Sequence, residues 1–356
     1  MAARALRYLL APFWAAQVFT GAKSFRDNPI LGSERLNRRG LHVWRVKLAD
    51  RLAHWRRKRL EHLVGVEDVQ TFARDGCIEV RDFLEPEHHR ALVAEVEGLL
   101  APARDMREGD AVTRRIALTP AMLRRLPACA RLVAMPQFQG RLRYVSSFDV
   151  APVVYIQTIF SQVEAAVPDP QLSLHMDTFH ATMKAWLFLH DVPADTGPFT
   201  YVPGTHAHTP QRLAWEHERS IAACRPGTTK GGAFRIDEAT LQRLGAGEIR
   251  QFAVPGNTLV VGDTCGFHAR GHSARPSVRV EIFAFSRRNP FIPLTGFGLS
   301  SLLRGREVPL YWRVFDWLER FGLAKNRWRD MGVASPMTLR PKTDAGMADA
   351  AAARAT

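Results

Sequence analysis

Short alternating segments separated by Pro-Gly turns run between residues 144 and 287, and no other feature limits the fold as sharply. Val153 to Phe160, Thr182 to Val192, Phe199 to Val202, Asn257 to Val261 and Ser277 to Ser286 all read as strands. Within the second, Met183, Ala185, Leu187 and Leu189 alternate against Lys184, Trp186, Phe188 and His190, the period of a chain with two distinct faces. Pro203-Gly204 and Pro255-Gly256 punctuate the strands as turns. Many short strands with such turns predict a mainly β fold, a barrel or a double sheet, with helices flanking it.

The helices stand mostly in front. Val66 to Ala73 reads as a helix, Gly76 to Val80 as a short strand, and Glu85-Pro86-Glu87 opens a second helix that runs to Leu100. Residues 209–247 interrupt the β region with helices over Gln211 to Cys224 and Asp237 to Leu244, the second capped by Asp237. Gly227, Gly231 and Gly232 lie between them. An insertion of that length in a β domain suggests a substrate lid or binding loop.

Charge divides the chain into zones. Residues 1–62 carry +10 and residues 287–356 carry +6, whereas 63–286 carry −2. We therefore expect a basic N-terminal extension over 1–62, a near-neutral enzymatic core over 63–289, a basic aromatic helical extension over 290–340 and a disordered tail over 341–356. From Leu41 to Leu63, Trp44, Trp55 and leucines interleave with Arg45, Lys47, Arg51 and Arg56-Arg57-Lys58-Arg59. This pattern reads either as a helix bound to an anionic membrane surface or as a solvated helix packed through its Leu/Trp side. The apolar run 9–22 falls short of the ~20 residues of a spanning helix. Its flanking charges and small residues suit an export signal, but the basic stretch that follows favours a helix lying in the interface. Tyr311 to Phe321 reads as another aromatic amphipathic helix. Cys77, Cys129, Cys224 and Cys265 form no C-x-x-C pair, which argues against a disulfide framework and for a reducing cytoplasm.

The chemistry concentrates in His175-Met176-Asp177. In an extended segment His175 and Asp177 point to one side. His-x-Asp with a distant second His is the donor set that holds a mononuclear ferrous ion and leaves one face open. His268 and His272 compete for the third position; His268 is favoured because its spacing to Arg279 fits one strand returning beside another. Arg279 sits inside the alternating Val278 to Ile282, where a guanidinium is either on the solvent face or matched to a buried carboxylate. Trp186 either lines the same pocket or is plain core, and Ser273 and Ser277 either add hydroxyls to that carboxylate or are loop polars. Arg275, before Pro276, reads as turn surface. His180, His190, His206 and His208 read as structural or surface residues, and Glu216 and Glu218 as members of an exposed helix.

The ordered pieces Phe72-Ala-Arg-Asp-Gly76, His175-Met-Asp177, Ala185-Trp-Leu187, Gly197-Pro-Phe199, Val202-Pro-Gly-Thr-His206 and Pro255-Gly-Asn-Thr258, followed by His268 and Arg279, resemble the phytanoyl-CoA dioxygenase family over about Phe72 to Asn289. That resemblance implies a double-stranded β-helix (a cupin-like jelly roll), Fe(II) held by His175, Asp177 and His268, and 2-oxoglutarate gripped by Arg279, with O2 as oxidant. Met176 departs from the Gln that family members often place between the ligands, and the basic ends lie outside the common core.

The expected activity is hydroxylation of an aliphatic C–H bond in a small-molecule or lipid-like substrate. The expected place is the cytoplasm, peripheral on the inner face of the membrane. Two competing classes are a nucleic-acid-binding or base-oxidising protein and a catalytically inactive scaffold. No recognition helix, zinc finger or RNP pattern supports the first, so no nucleic-acid partner is expected. The intact ligand set with Arg279 argues against the second.

Overall fold

The computed structural model describes residues 2–163, 169–225, 232–296 and 305–339, with side chains from residue 10 onward. The chain opens with α1 (Ala2–Gln17), α2 (Glu34–Arg38) and α3 (Leu41–Leu60). Then come α4 (Val66–Asp75), β1 (Cys77–Val80) and α5 (Pro86–Glu97). The hairpin β2 (Ala101–Glu108) and β3 (Ala111–Ala117) leads into α6 (Pro120–Leu123), α7 (Pro127–Ala134) and α8 (Pro136–Ser146). Next are β4 (Val153–Ser161), β5 (Met183–Phe188), β6 (Phe199–Tyr201), α9 (Pro210–Ala223) and α10 (Glu238–Arg243). The last elements are β7 (Arg250–Gln251), β8 (Thr258–Asp263), β9 (His268–Arg270), β10 (Ser277–Ser286), α11 (Glu307–Arg320) and β11 (Arg329–Ala334).

Two antiparallel sheets face each other as an open double-stranded β-helix rather than a closed barrel. The major sheet has the order β1-β8-β5-β10-β4-β3-β2-β11 and the minor sheet β7-β6-β9. The strand alternation sorts the core. On β5, Met183, Ala185 and Leu187 join Val280, Ile282 and Ala284 of β10 in the cluster that α4, α5, α7 and α8 cover. The opposite parity, Trp186, Phe188 and Phe283, packs with Phe199, Tyr201 and Phe252 from the minor sheet and its neighbourhood. A third cluster joins Phe25, Val46 and Ala49 to Met176, Trp215, Phe234, Ile236 and Phe267.

The structure departs from several expectations. Strands β2 and β3 were hidden in the sequence because arginines occupy buried positions on both of their faces: Arg104 and Arg114 are buried beside Ala101, Ala103, Val112 and Ile116. Segment 290–340 is not only helical, since β11 extends the major sheet along β2. Helix α3 does not pack through its Trp residues, and of its leucines only Leu60 is buried. Its buried face is His42, Arg45, Val46, Ala49, Ala53, Arg56, Arg57 and Leu60, while Trp44 and Trp55 are exposed. The buried guanidiniums satisfy main-chain carbonyls that no helix or sheet partners. Arg45 donates to Val18, Thr20 and Ala22, and Arg56 to Ser147, Pro290 and Ile292. Arg57 donates to Val145 and pairs with Asp263 at 2.6 Å.

Glu216 is fully buried, contrary to the exposed helix expected for it, whereas Glu218 is exposed. It accepts from Arg212 Nε at 3.1 Å and pairs with His42 Nε2 at 2.9 Å, which ties α9 to α3. Helix α9 is capped by Thr209 and α10 by Asp237, whose side chains accept from Arg212 N and Thr240 N. Gly227 and Gly231 of the insertion, and the tail 341–356, lie outside the described residues.

Candidate metal centre

The segment before β5 is extended and zipped to its surroundings. His175 and His268 exchange both backbone hydrogen bonds at 3.0 Å, Met176 N donates to Phe234 O at 3.0 Å, and Asp177 N donates to Thr264 O at 2.9 Å. This pairing places three side chains together. One donor atom each from His175, Asp177 and His268 lies within 4.8 Å of the others, the one such group among the described residues. His175 Nε2 stands 3.9 Å from Asp177 Oδ1, and His268 Nε2 stands 3.7 Å from Asp177 Oδ2. Between them Met176 turns the other way into the third cluster, fully buried, with Arg212 Nη2 at 3.8 Å from its sulfur.

Both imidazoles are set in one tautomer. His175 Nδ1 donates to Ser173 O at 2.8 Å and His268 Nδ1 to Gly266 O at 2.9 Å. A proton on Nδ1 leaves the Nε2 lone pair free. His268 Nε2 is buried without a hydrogen-bond partner, a cost that a cation among these donors would remove. Burial holds His268 down to about 3 and also lowers His175, so both rings are neutral and able to ligate. At Asp177 burial opposes ionisation, but the Lys184 ammonium and the two imidazoles outweigh it and hold the carboxyl well below its ordinary value. Lys184 Nζ pairs with Asp177 Oδ2 at 2.6 Å, and Lys23 Nζ donates to the Asp177 carbonyl.

A cavity of about 230 Å³ opens from this group between the sheets. Its walls include Lys184 and Trp186 of β5, Arg279 and Phe283 of β10, and His268 and Arg270 of β9. Trp186 stacks on Phe199 with centroids 4.1 Å apart. Arg279 is buried; its Nε donates to Glu281 Oε2 at 3.0 Å and its Nη1 to the Gly197 carbonyl. Gly197 has φ of +71°, the left-handed turn that lets its carbonyl meet the guanidinium.

The remaining candidates lie elsewhere. Ser277 is not among the residues lining this cavity; its hydroxyl ties Ser273 Oγ at 3.1 Å and Thr196 O at 3.3 Å, so it closes a loop at the strand end. His272 is exposed, as is Arg275, which pairs with Asp195. His180 and His206 are buried, His208 contacts Asp50 at 3.2 Å, and His190 stands 3.5 Å from Glu97. Sequence reasoning missed Lys184, Arg115, Gln157 and Glu281. Lys184 and Glu281 shared the parity of Trp186 and Arg279 and were visible there, whereas Arg115 and Gln157 needed the strand register.

The family description "Phytanoyl-CoA dioxygenase (PhyH)" matches residues 72–239, a span that contains His175 and Asp177 and ends before His268 and Arg279. No curated protein matches the chain. Among solved structures, the chain is similar to the non-heme alpha ketoglutarate dependent epimerase SnoN from nogalamycin biosynthesis. Identity is 18%, with 64% of this chain and 82% of that one covered and a TM-score of 0.42. HygX from Streptomyces hygroscopicus, with nickel and 2-oxoglutarate bound, is 17% identical over 62% of this chain and 85% of its own, with a TM-score of 0.39. EctD from S. alaskensis, with bound Fe, is 16% identical over 63% and 76%, with a TM-score of 0.36.

Proposed function

We propose, from the match of residues 72–239 to the phytanoyl-CoA dioxygenase family, that this chain is a member of it and uses iron(II) and 2-oxoglutarate to hydroxylate an aliphatic C–H bond of a small-molecule or lipid-like substrate. The observation that carries the reading is the convergence of two Nε2 lone pairs and one carboxylate beside a cavity that also holds a buried guanidinium. His175, Asp177 and His268 would hold the metal, a donor set that suits ferrous iron and leaves positions open. Bound iron, 2-oxoglutarate and dioxygen supply the oxidising power needed to break an unactivated C–H bond. The chain's own residues bind and orient. Arg279, steadied by Glu281 and Gly197, would grip the distal carboxylate of the co-substrate, for which its planar fork is suited. Trp186, Phe199 and Phe283 wall the cavity and exclude water.

Anaerobic titration of the full chain with ferrous ion and then 2-oxoglutarate tests this directly. A weak visible charge-transfer band should appear, and it should be absent in His175→Ala. A wild-type protein that binds no iron, or gives no band, removes the reading.

We further propose that the enzyme works peripherally at an anionic membrane surface in the cytoplasm. Support comes from the outward face of α3, where Trp44, Lys47, Arg51, Trp55, Lys58 and Arg59 are exposed together, and from exposed Phe13 and Phe19 nearby in sequence. Helix α11 likewise exposes Tyr311, Val314 and Trp317. No helix among the described residues is long and apolar enough to cross a membrane. Flotation with vesicles containing phosphatidylserine, compared with neutral vesicles, tests the idea; equal behaviour on both, or recovery in neither, defeats it.

A further inference from the structure

The cations lining the cavity are not alike. Arg279 faces Glu281 at 3.0 Å, Lys184 faces Asp177 at 2.6 Å, Arg270 faces Asp169 at 2.6 Å and Arg327 faces Glu108 at 2.9 Å. Arg115, on β3, has no carboxylate within ion-pair distance among the described residues. Its hydrogen bond runs from Nε to Gln157 Oε1 at 2.7 Å. Three rings surround the guanidinium: Phe283 at 4.5 Å, Trp328 at 4.7 Å and Tyr155 at 5.1 Å. Ring faces compensate part of the desolvation of a cation. Among the described residues none accepts a hydrogen bond from the Arg115 Nη atoms. Burial lowers Arg115 to about 10, so the group stays charged at neutral pH.

The position is built, not incidental. Arg115, Gln157 and Glu281 are register partners on three adjacent strands. Gln157 Oε1 accepts from Arg115, and Gln157 Nε2 donates to Glu281 Oε1 at 2.6 Å. Glu281 Oε2 accepts from Arg279. One polar row thus aims two guanidiniums into one cavity. The proposed co-substrate needs only one of them.

We propose that Arg115 is the specificity-determining residue for the substrate to be oxidised, and that this substrate carries an oxyanion, a carboxylate or a phosphate, which seats on the Nη edge of Arg115 while its apolar part lies along Phe283 in the cavity wall. A planar fork pairs bidentately with either anion. The proposal rests on the oxygenase reading for the identity of the second ligand, but its own measurement does not depend on turnover.

The test uses the full chain, loaded anaerobically with ferrous ion and saturated with 2-oxoglutarate, and calorimetric titration with octyl phosphate, octanoate and octanol. Wild type should bind at least one of the anions about tenfold or more tighter than the alcohol, the scale of one charge-assisted hydrogen-bonded contact. The phosphate and carboxylate arms identify which headgroup fits. Arg115→Gln should erase the preference and leave the charge-transfer band of bound 2-oxoglutarate in place, whereas Arg279→Gln should weaken the band. The proposal falls if wild type shows no preference for either anion, if Arg115→Gln binds the anions as wild type does, or if excess 2-oxoglutarate displaces them, which would put them on Arg279. The two wild-type outcomes decide the matter even where Arg115→Gln does not fold. A missing band in wild type would instead overturn the oxygenase reading, a separate result.

Discussion

His175 and His268 lie directly opposite each other in an antiparallel bridge, each donating its amide to the other's carbonyl at 3.0 Å, with ring centroids 4.6 Å apart. The backbone pairing, not the side chains, fixes the separation of the two imidazoles. That separation depends on β9 staying in register with the segment before β5.

Replacing either imidazole should separate metal binding from folding. His268→Ala should reduce iron affinity beyond the roughly 10–100-fold typical of removing an outer-shell partner, with little loss of thermal stability. His272→Ala, on the exposed competitor, should leave iron content unchanged. Metal analysis of anaerobically loaded protein reads both; equal losses would show that His268 holds no special place.

The Arg279 contact should act on the co-substrate. Arg279→Gln removes one charge-assisted pairing, worth about 1.5–3 kcal/mol, so 2-oxoglutarate affinity should fall by roughly 10–150-fold. Gly197→Ala should reproduce part of that loss. At φ of +71° an L side chain is strained, and its Cβ would stand 3.0 Å from the Gly271 carbonyl. The Gly197 carbonyl that steadies Arg279 would then shift. Titration of the charge-transfer band measures both; unchanged affinity in Arg279→Gln would assign the carboxylate to another cation.

Glu216 should be a structural keystone. Glu216→Ala leaves Arg212 and His42 buried without their carboxylate, a loss of about 3–5 kcal/mol by analogy with other broken buried pairs. Chemical denaturation should show the midpoint falling sharply, while Glu218→Ala, on the exposed side of α9, changes it little. A mild effect at Glu216 would mean that water replaces the carboxylate.

Acid should destabilise the metal-free protein in two stages. Burial holds His206 down to about 4 from an ordinary 6.5. The unfolded chain therefore takes up that proton first, and stability is lost as pH falls from 6.5 towards 4. At Glu216 burial raises the pKa, but the His42 hydrogen bond and the Arg212 charge prevail and hold it at about 2 against an ordinary 4.5. Its contribution is present above 4.5 and is lost as pH falls towards 2. Both shifts have the same sign, so unfolding free energy should decline without a maximum below neutrality. Urea midpoints at pH 7, 5.5 and 4.5 would test this, and a flat profile would contradict it. His206→Phe should shrink the upper stage without abolishing it, because burial also holds His180 and His268 down to about 3 and both lose stability over the same window.

Much of the sheet was legible because its strands alternate. The parity that separates Met183, Ala185 and Leu187 from Lys184 and Trp186 is local, and it decides which side chains can face a cavity. Strands β2, β3 and β11 were not legible. The burial of β2 and β3 relies on Arg104 pairing with Asp316 and on Arg114 pairing with Asp105, while β11 is largely exposed. Charged residues at buried positions carry no apolar period to detect. The same reason hid the inner face of α3, where Arg45 and Arg56 serve carbonyls from residues far away in the chain.

By itself, the sequence determined the kinds of donor present, the two-faced strands and the parity of each side chain, since these follow from residue type and the period of an extended backbone. Only the tertiary structure decided that His268 and not His272 stands opposite His175, that Glu281 and Gln157 link Arg279 to Arg115, and that arginines line the inside of α3. Each of these depends on strand register and on which polar groups lose water together, and both are set when distant segments pack.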